Sequence, residues 1–121
     1  MIQFEIEGKP TPWSASQTNG KRHYNPKHQE KLQVQWQIKA QHRDPLLLGP
    51  VHLDFTFYFP IPKNTSYVKR QQMLAHMILP ETRPDTTNMQ KFYEDCLTGI
   101  VLPDDKHATD TSSRKRYSER P

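Results

Sequence analysis

The chain has 121 residues, of which 33% are hydrophobic, and carries a formal net charge of +4 with a sequence pI near 9.3. This length accommodates one hydrophobic core, so we expect a single domain over residues 1–121. The lone cysteine, Cys96, excludes an internal disulfide, and no apolar run approaches the ~20 residues needed to cross a bilayer. The N-terminus also lacks a signal-peptide pattern. We therefore expect a soluble, cytoplasmic protein, and the positive charge favours a polyanionic partner.

The first residues alternate between apolar and polar side chains. Ile2, Phe4 and Ile6 take the apolar positions, which predicts a half-buried strand that Gly8 ends. Residues 9–26 are rich in Pro, Ser, Asn and Gly and predict a long loop, of a length that is usually functional or disordered. This loop interleaves cations with aromatic side chains suited to phosphate contacts and base stacking: Lys9, Trp13, Lys21, Arg22, His23 and Tyr24. A solvated, mobile loop is an equally good interpretation.

The segment after the loop gives conflicting signals. Asn25-Pro26 has the form of a helix N-cap followed by proline at the first helical position. Its Gln, Lys and Ala content also favours a helix, whereas its apolar residues alternate as they would in a strand. The alternating residues are Leu32, Val34, Trp36, Ile38 and Ala40. These residues alone leave both structures open, and in a helix we expect Trp36 to serve packing rather than base stacking.

Gly49-Pro50 opens the clearest strand of the sequence, which Pro60 and Pro62 end. Asp54, on its polar face, is interpreted as a solvated strand position rather than a further site carboxylate. The apolar face needs a cover, for which we expect the helix that begins near Thr87. That face consists of Val51, Leu53, Phe55, Phe57 and Phe59.

Ser66 is a candidate N-cap for a short helix that runs to about His76. We expect its apolar side to be formed by Val68, Met73, Leu74 and Met77. Three cations, Lys63, Lys69 and Arg70, lie near its start. They could touch a DNA backbone, although a solvated basic face is the commoner outcome for such a run.

The stretch from Arg83 to Asp105 gathers the residue types that carry chemistry. Thr87-Asn88-Met89-Gln90 has the form of a capping box, which predicts a helix start near Thr87, and Gly99 is its expected end. The apolar side of this helix comprises Met89, Phe92, Cys96 and Ile100, and another side carries Asn88, Lys91 and Asp95. Asp85 precedes the helix, and Asp104-Asp105 follow a turn marked by Pro103.

Phosphodiester hydrolysis uses carboxylates and a lysine of this kind. Hard cations such as Mg²⁺ bind carboxylate oxygens, and a nearby ammonium can offset charge that develops on the phosphate. Taken singly, each residue also has a structural interpretation. Asp85 would cap a turn, Lys91 and Asp95 would form a surface pair four residues apart, and Asp104-Asp105 would be turn residues.

The order R-P-D-x-x-N-x-x-K-x-x-x-D-x-L-x-G-I followed by D-D resembles the RusA family of Holliday junction resolvases. The resemblance implies that Asp85 and Asp105 are catalytic, metal-binding aspartates and that Lys91 is the catalytic lysine. It makes Asn88 the motif asparagine and Asp95 the mid-helix aspartate. Where the family commonly has a second aspartate, this chain has Thr87.

A hydroxyl is a weaker ligand for Mg²⁺ than a carboxylate, so the replacement bears directly on the expected metal site. Asp95 cannot occupy the same ligand position, because eight helical residues, a rise of ~12 Å, separate it from Thr87. Asp95 could still bind an ion if Asp105 approaches the middle of the helix, and Asp104 is the other candidate ligand.

The resemblance also implies structure elsewhere in the chain. It favours a helix over residues 25–40, a basic loop after the first strand, and an α+β fold in which helices pack on a small mixed sheet. Residues 106–121 are polar with β-branched members and predict a strand that pairs near the site, followed by a basic run at residues 114–116. The family has a similarly placed basic, tyrosine-containing strand. The family normally continues through Pro-Gly into a further strand, which this sequence does not contain. The expected DNA-binding cations are Lys9, Lys21, Arg22, Lys69, Arg70, Arg114, Lys115 and Arg116.

Three functional hypotheses follow. The first is a bacterial or phage-encoded homodimeric endodeoxyribonuclease that uses Mg²⁺, or alternatively Mn²⁺, to cut four-way DNA by paired nicks. The two-fold symmetry of a junction motivates the dimer. The second is a junction-binding protein with weakened or lost cleavage because of Thr87. The third is an interaction module whose carboxylates are merely structural, which predicts no preference for a junction over linear duplex.

Overall fold

The computed structural model describes residues 2–14, 17–19, 22–24 and 27–119. The helices of this part of the chain are α1 (His28–Gln41), α2 (Tyr67–Leu74) and α3 (Thr86–Leu97). Its strands are β1 (Gln17–Asn19), β2 (Arg22–Tyr24), β3 (Val51–Pro60) and β4 (Ala108–Ser118), and a 3₁₀ turn spans Asp105–His107. The predicted α+β class is confirmed. Among these helices none combines the length and the apolar character that crossing a bilayer requires.

Strands β3 and β4 form a parallel pair that extends from His52 opposite Asp110 to Pro60 opposite Ser118. The predicted strand over residues 51–59 is confirmed, as is a strand after residue 106. Phe57 and Phe59 are buried, and Met89 of α3 packs against both of them. Helix α3 therefore covers the apolar face of β3, as its alternating aromatic residues require.

The remainder of the core lies between α1 and α3. Val34 and Ile38 of α1 pack with an apolar group that α3 and the following turn contribute: Phe92, Cys96, Leu97, Val101 and Leu102. Cys96 and Leu102 are fully buried. This packing fixes α3 between the sheet on one side and α1 on the other.

Helix α1 confirms the helical interpretation of the ambiguous segment, but the expected packing role of Trp36 is wrong. Val34 and Ile38 are four residues apart and share the buried face of the helix. Trp36 lies about 200° around the helix from Val34 at 100° per residue, and it is 71% exposed. The predicted start at Asn25-Pro26 lies outside the described residues.

The N-terminal segment is not the predicted strand. Residues 2–7 pair with no strand of the described chain, although Phe4 and Ile6 do pack against the core. Glutamine side chains of α1 form hydrogen bonds with the backbone of this segment instead. The Glu5 amide donates to Gln41 Oε1 (2.9 Å), and Gln41 Nε2 donates to the Glu5 carbonyl (2.7 Å). The Glu7 amide likewise donates to Gln37 Oε1 (2.8 Å). A side-chain amide carries the same donor and acceptor as a peptide, so it replaces a neighbouring strand.

The predicted long loop contains a short antiparallel hairpin, in which Gln17 lies opposite Tyr24 and Asn19 lies opposite Arg22. The sequence signal for this hairpin was Gly20, because glycine at the first of two loop residues is typical of two-residue hairpin turns. Gly20 and Lys21, at its tip, lie outside the described residues. The basic segment thus contains a paired ribbon rather than an irregular loop throughout.

Helix α2 begins as predicted, because the Ser66 hydroxyl accepts a hydrogen bond from the Lys69 amide (3.4 Å). It ends at Leu74 rather than His76, which has a left-handed φ of 63°. The expected apolar side is only partly correct. Met73 is 8% exposed, whereas Val68 and Met77 are 66% and 72% exposed. An eight-residue helix at the edge of the fold buries one narrow stripe.

Candidate functional site

Asp85 sits at the N-cap of α3, where its Oδ1 accepts a hydrogen bond from the Asn88 amide (2.8 Å). The helix consequently begins at Thr86, and the predicted cap at Thr87 is wrong by two residues. An aspartate outranks threonine as a cap, and its charge is favourable at the positive end of the helix dipole. The structural interpretation of Asp85 as a cap is therefore realised, and the same placement orients its carboxylate beside the first turn of α3.

A depression adjoins this helix start, lined by Pro12, Arg83, Pro84, Asp85 and Asn88. Asn88, one of these lining residues, has a buried Oδ1 atom without a hydrogen-bond partner among the described residues. A buried carbonyl oxygen without a partner is costly unless water, an ion or a ligand satisfies it. Arg83, which the motif includes only as its first residue, also lines the depression. The arginine-proline step before Asp85 was its sequence signal.

The oxygen atoms at this position suit a hard cation. Asp85 is exposed and contributes a carboxylate, and Asn88 contributes the unpartnered carbonyl oxygen. Both are ligand types that Mg²⁺ and Mn²⁺ accept. Among the side chains that the structure describes, no group of three or more His, Cys, Asp or Glu residues could hold a metal ion. The Asp105 side chain is not among them.

Lys91 lies on the same side of α3 as Asn88, three residues further on. Its Nζ is 3.6 Å from the centroid of the Trp13 ring. The surface pair with Asp95, the structural alternative for Lys91, is not formed in the described part of the chain, and the ammonium lies over the indole instead. The segment before the hairpin therefore contributes directly to the surroundings of the lysine.

Residues 10–14 form a strap across α3, which places Trp13 there. The Trp13 amide donates to the Asn88 carbonyl (3.3 Å), and the Thr11 amide donates to the Tyr93 hydroxyl (3.1 Å). Burial raises the pKa of Tyr93 above its ordinary value of 10.0, although the Thr11 amide works in the opposite direction. Tyr93 thus stays a neutral acceptor that anchors the strap.

The later aspartates return towards α3 through a tight turn. Gly99, the expected helix end, has a left-handed φ of 87° just after the cap residue Thr98. The 3₁₀ turn that begins at Asp105 then lies against α3. Asp104 Oδ1 accepts from the Lys106 amide (3.1 Å), so this carboxylate shapes the turn. Asp95 is half-buried on α3.

Several of the predicted DNA-binding cations have protein partners. Arg114 forms an ion pair with Asp54, and Arg70 forms one with Glu119 (3.5 Å). Arg116 Nη1 donates to the Lys115 carbonyl (2.7 Å). Of the other predicted cations, Lys9 and Lys69 are exposed and Arg22 belongs to β2, although its side chain is not described. Lys21 lies outside the described residues.

Lys115 connects the sheet to the site. Its Nζ donates to the Thr82 carbonyl and lies 5.3 Å from the Phe59 ring centroid. Thr82 directly precedes Arg83, so the lysine holds the approach to the depression against the C-terminal half of β3. Within the described chain this contact is structural, and it was not anticipated from the basic run in the sequence.

Comparison with known proteins gives two matches. The sequence matches the family described as endodeoxyribonuclease RusA over residues 5–121. It is 32% identical over 128 residues to an uncharacterized protein, YqaN, of Bacillus subtilis (strain 168), a similarity that covers 99% of this chain and 90% of that protein. No solved structure gives a significant match.

Proposed function

Because the chain belongs to the RusA endodeoxyribonuclease family, we propose that it is a Mg²⁺-dependent, structure-specific nuclease that cuts four-way DNA junctions by paired nicks. Family membership supports a nuclease that acts on branched DNA. The observation that carries the proposal further is the start of α3, where Asp85, Asn88 and Arg83 line one depression and Asn88 has a buried, unpartnered side-chain oxygen. Lys91 follows on the same side of the helix.

In this proposal Asp85 and Asp105 hold the metal ion, with Asn88 as an additional oxygen donor and Asp95 or Asp104 in support. When bound, Mg²⁺ would activate water and polarise the phosphate. Mn²⁺ has similar oxygen preferences and is expected to substitute. The N-terminus of α3 adds its own positive dipole beside the depression, which favours a phosphate there.

Lys91 supplies the fixed positive charge. Its ammonium would stabilise the negative charge that develops on the phosphate oxygens, an effect that is strongest where the group is placed in advance. Arg83 lines the same depression and would bind the scissile phosphate through its planar guanidinium. These two residues bind and orient the substrate, and neither needs to transfer a proton.

The cations outside the depression would bind the DNA arms, chiefly Lys9, Lys21, Arg22 and Lys69. Arg70, Arg114, Lys115 and Arg116 would contribute only as far as their protein contacts leave their charges accessible. A homodimer would present two equivalent sites to two strands of a two-fold symmetric junction. Such binding weakens steeply as the salt concentration rises, because the release of counterions from DNA is less favourable at high salt.

The proposal is tested with a labelled four-way junction and Mg²⁺ or Mn²⁺, beside a linear duplex of the same sequence. We expect symmetric nicks from the wild type and their loss in Asp85→Asn and Asp105→Asn. Asp44→Asn, at an exposed loop position, is the matched control and should cleave normally. Light scattering of the free protein tests the dimer. Junction binding without nicks in either metal would refute the nuclease.

Thr87 supports a second candidate, a junction-binding protein that no longer cuts. Thr87 is exposed on the first turn of α3, where the family commonly has a carboxylate. Under this alternative the wild type binds junctions but is inert, and Thr87→Asp restores metal-dependent nicks. Under the leading proposal the wild type already cuts, and Thr87→Asp changes mainly the metal concentration required.

A further inference from the structure

We infer that Trp13 is a positioning residue for Lys91: its indole face holds the lysine ammonium beside the first turns of α3, ready for the phosphate. This inference rests on the proposed function, in which Lys91 stabilises charge on the phosphate. Trp13 is not part of the motif from Arg83 to Asp105 and lies seventy residues before it in the sequence. The structure alone brings the two together.

The geometry is that of a close cation–π contact. Lys91 Nζ is 3.6 Å from the Trp13 ring centroid, well within the ~6 Å over which such pairs attract. Tryptophan presents the most favourable aromatic face for a cation. The described ion pairs do not include Lys91. Within the described chain, the indole is thus the partner that determines where this ammonium lies.

The ring is fixed by contacts that do not involve the lysine. The Trp13 amide donates to the carbonyl of Asn88, on the turn that precedes Lys91. Two residues earlier, the Thr11 amide donates to the Tyr93 hydroxyl. Tyr93 is itself held by ring contacts with Phe57 (5.6 Å) and Phe92 (5.0 Å) between the centroids. The strap therefore anchors Trp13 to the same helix on both sides of Lys91.

A free lysine side chain samples many rotamers, and confining it costs entropy at the moment of reaction. When a fixed aromatic face already confines the lysine in the folded protein, that entropy is lost on folding and not during the reaction. Displacement of a reacting group by about 1 Å can cost on the order of 100-fold in rate. We therefore expect loss of the indole to reduce the rate of cleavage without removing the charge that attracts DNA.

The chain offers its own control. Trp36 also lies near a lysine, Lys39, with 5.8 Å between Nζ and the ring centroid, but it is exposed on α1. Substitution of Trp36 removes the same amount of aromatic surface from a position without a described link to α3. Trp13→Phe keeps an aromatic face, whereas Trp13→Leu keeps apolar bulk without one.

The first measurement does not depend on nuclease activity. Ring currents should move the Lys91 Hε resonances upfield in the wild type, with Lys91→Arg used for assignment. The shift should persist in Trp13→Phe and Trp36→Leu and disappear in Trp13→Leu. Unshifted resonances in the wild type would overturn the inference. Circular dichroism and thermal unfolding identify any variant that fails to fold.

The second measurement separates the single-turnover rate from junction affinity at saturating Mg²⁺. We expect Trp13→Leu to cut 10- to 100-fold more slowly, on the order set by misplacement, with its Kd within about twofold of the wild type. Trp13→Phe should recover most of the rate, and Trp36→Leu should be unchanged. Equal rates for the wild type and Trp13→Leu would refute this inference alone. A wild type inert in both metals would refute the proposed function, and the positioning role with it.

Discussion

Arg114 and Asp54 form a two-pronged ion pair across the parallel strands. Arg114 Nη2 lies 2.8 Å from Asp54 Oδ1, and Nη1 donates to Oδ2 at 3.2 Å. The Ser112 hydroxyl donates to the same carboxylate (2.7 Å). In the register Ser112 lies opposite Asp54 and Arg114 lies opposite Thr56, so this pair occupies the polar face, away from Phe57 and α3.

The Asp54 carboxyl should respond to removal of its partner. The Arg114 hydrogen bond, followed by that of Ser112, holds the pKa of Asp54 below its ordinary 3.8. Arg114→Gln should therefore raise this pKa towards 3.8, measured by NMR titration of the side-chain carbonyl. Arg70→Gln, which breaks a different exposed pair, is the control and should leave it unchanged.

The sign of the linked stability follows. Because the pKa of Asp54 is lower in the folded protein, the ionised carboxylate stabilises the fold at pH values above 3.8. That stabilisation is lost as the pH falls through the folded-state pKa. The wild type should thus lose more stability than Arg114→Gln on acidification below pH 3.8. The effect should be small, because both groups are exposed to solvent. Parallel pH profiles for the two proteins would contradict it.

Asp85 should have separable structural and chemical roles. Asparagine caps a helix about as well as aspartate, whereas alanine leaves the Asn88 amide unpaired. Asp85→Ala should therefore lower the free energy of unfolding by about 1 kcal/mol, and Asp85→Asn should change it little, measured by urea denaturation. Cleavage should be lost in both. Equal stability of the two variants would show that the cap contributes nothing.

Met89 should be a sensitive position in the core. It is 0% exposed and packs against Phe57 and Phe59 beneath the site. Met89→Ala should lower the free energy of unfolding by about 2–5 kcal/mol, because it leaves a cavity between helix and sheet. Met77→Ala, at a position that is 72% exposed, is the matched control and should stay within about 0.5 kcal/mol. Similar losses for both would contradict the assigned packing.

The Cys96 thiol should be inert in the folded protein. Burial raises its pKa to about 12, so almost no thiolate is present near pH 8, and the thiolate is the reactive form. A disulfide reagent should label it only as fast as the protein opens, and urea should accelerate the labelling to that of an ordinary cysteine. Rapid labelling under native conditions would contradict the burial.

The elements that sequence reasoning identified are those whose own residues determine them. The aromatic alternation from Val51 to Phe59 and the apolar side of α3 each specify one face, so β3 and its cover were predictable. Residues 2–7 alternate as clearly, but their backbone partners are glutamine side chains on α1. A local pattern cannot reveal such a substitute. The predicted packing of Trp36 was wrong for a related reason, because α1 buries only a narrow stripe of its surface.

For the candidate site, sequence predicted which residues lie along α3 but not what surrounds them. Asp85, Asn88 and Lys91 follow from helical spacing once the helix start is known. The contact of Lys91 with Trp13 depends on a strap that precedes it by most of the chain. The ion pair of Arg114 depends equally on the β3–β4 register. Both are long-range contacts, which composition and spacing do not encode.

The contacts of the strap can form only late in the synthesis of the chain. Thr11 finds its partner Tyr93 only 82 residues later in the chain, and β3 must likewise await β4. While the ribosome is still translating, the basic N-terminal third has no α3 on which to dock. Folding dominated by such distant pairings is slow. The nascent chain therefore carries its cationic N-terminal segment undocked until α3 has been synthesised, and the lysine and its indole meet only after that.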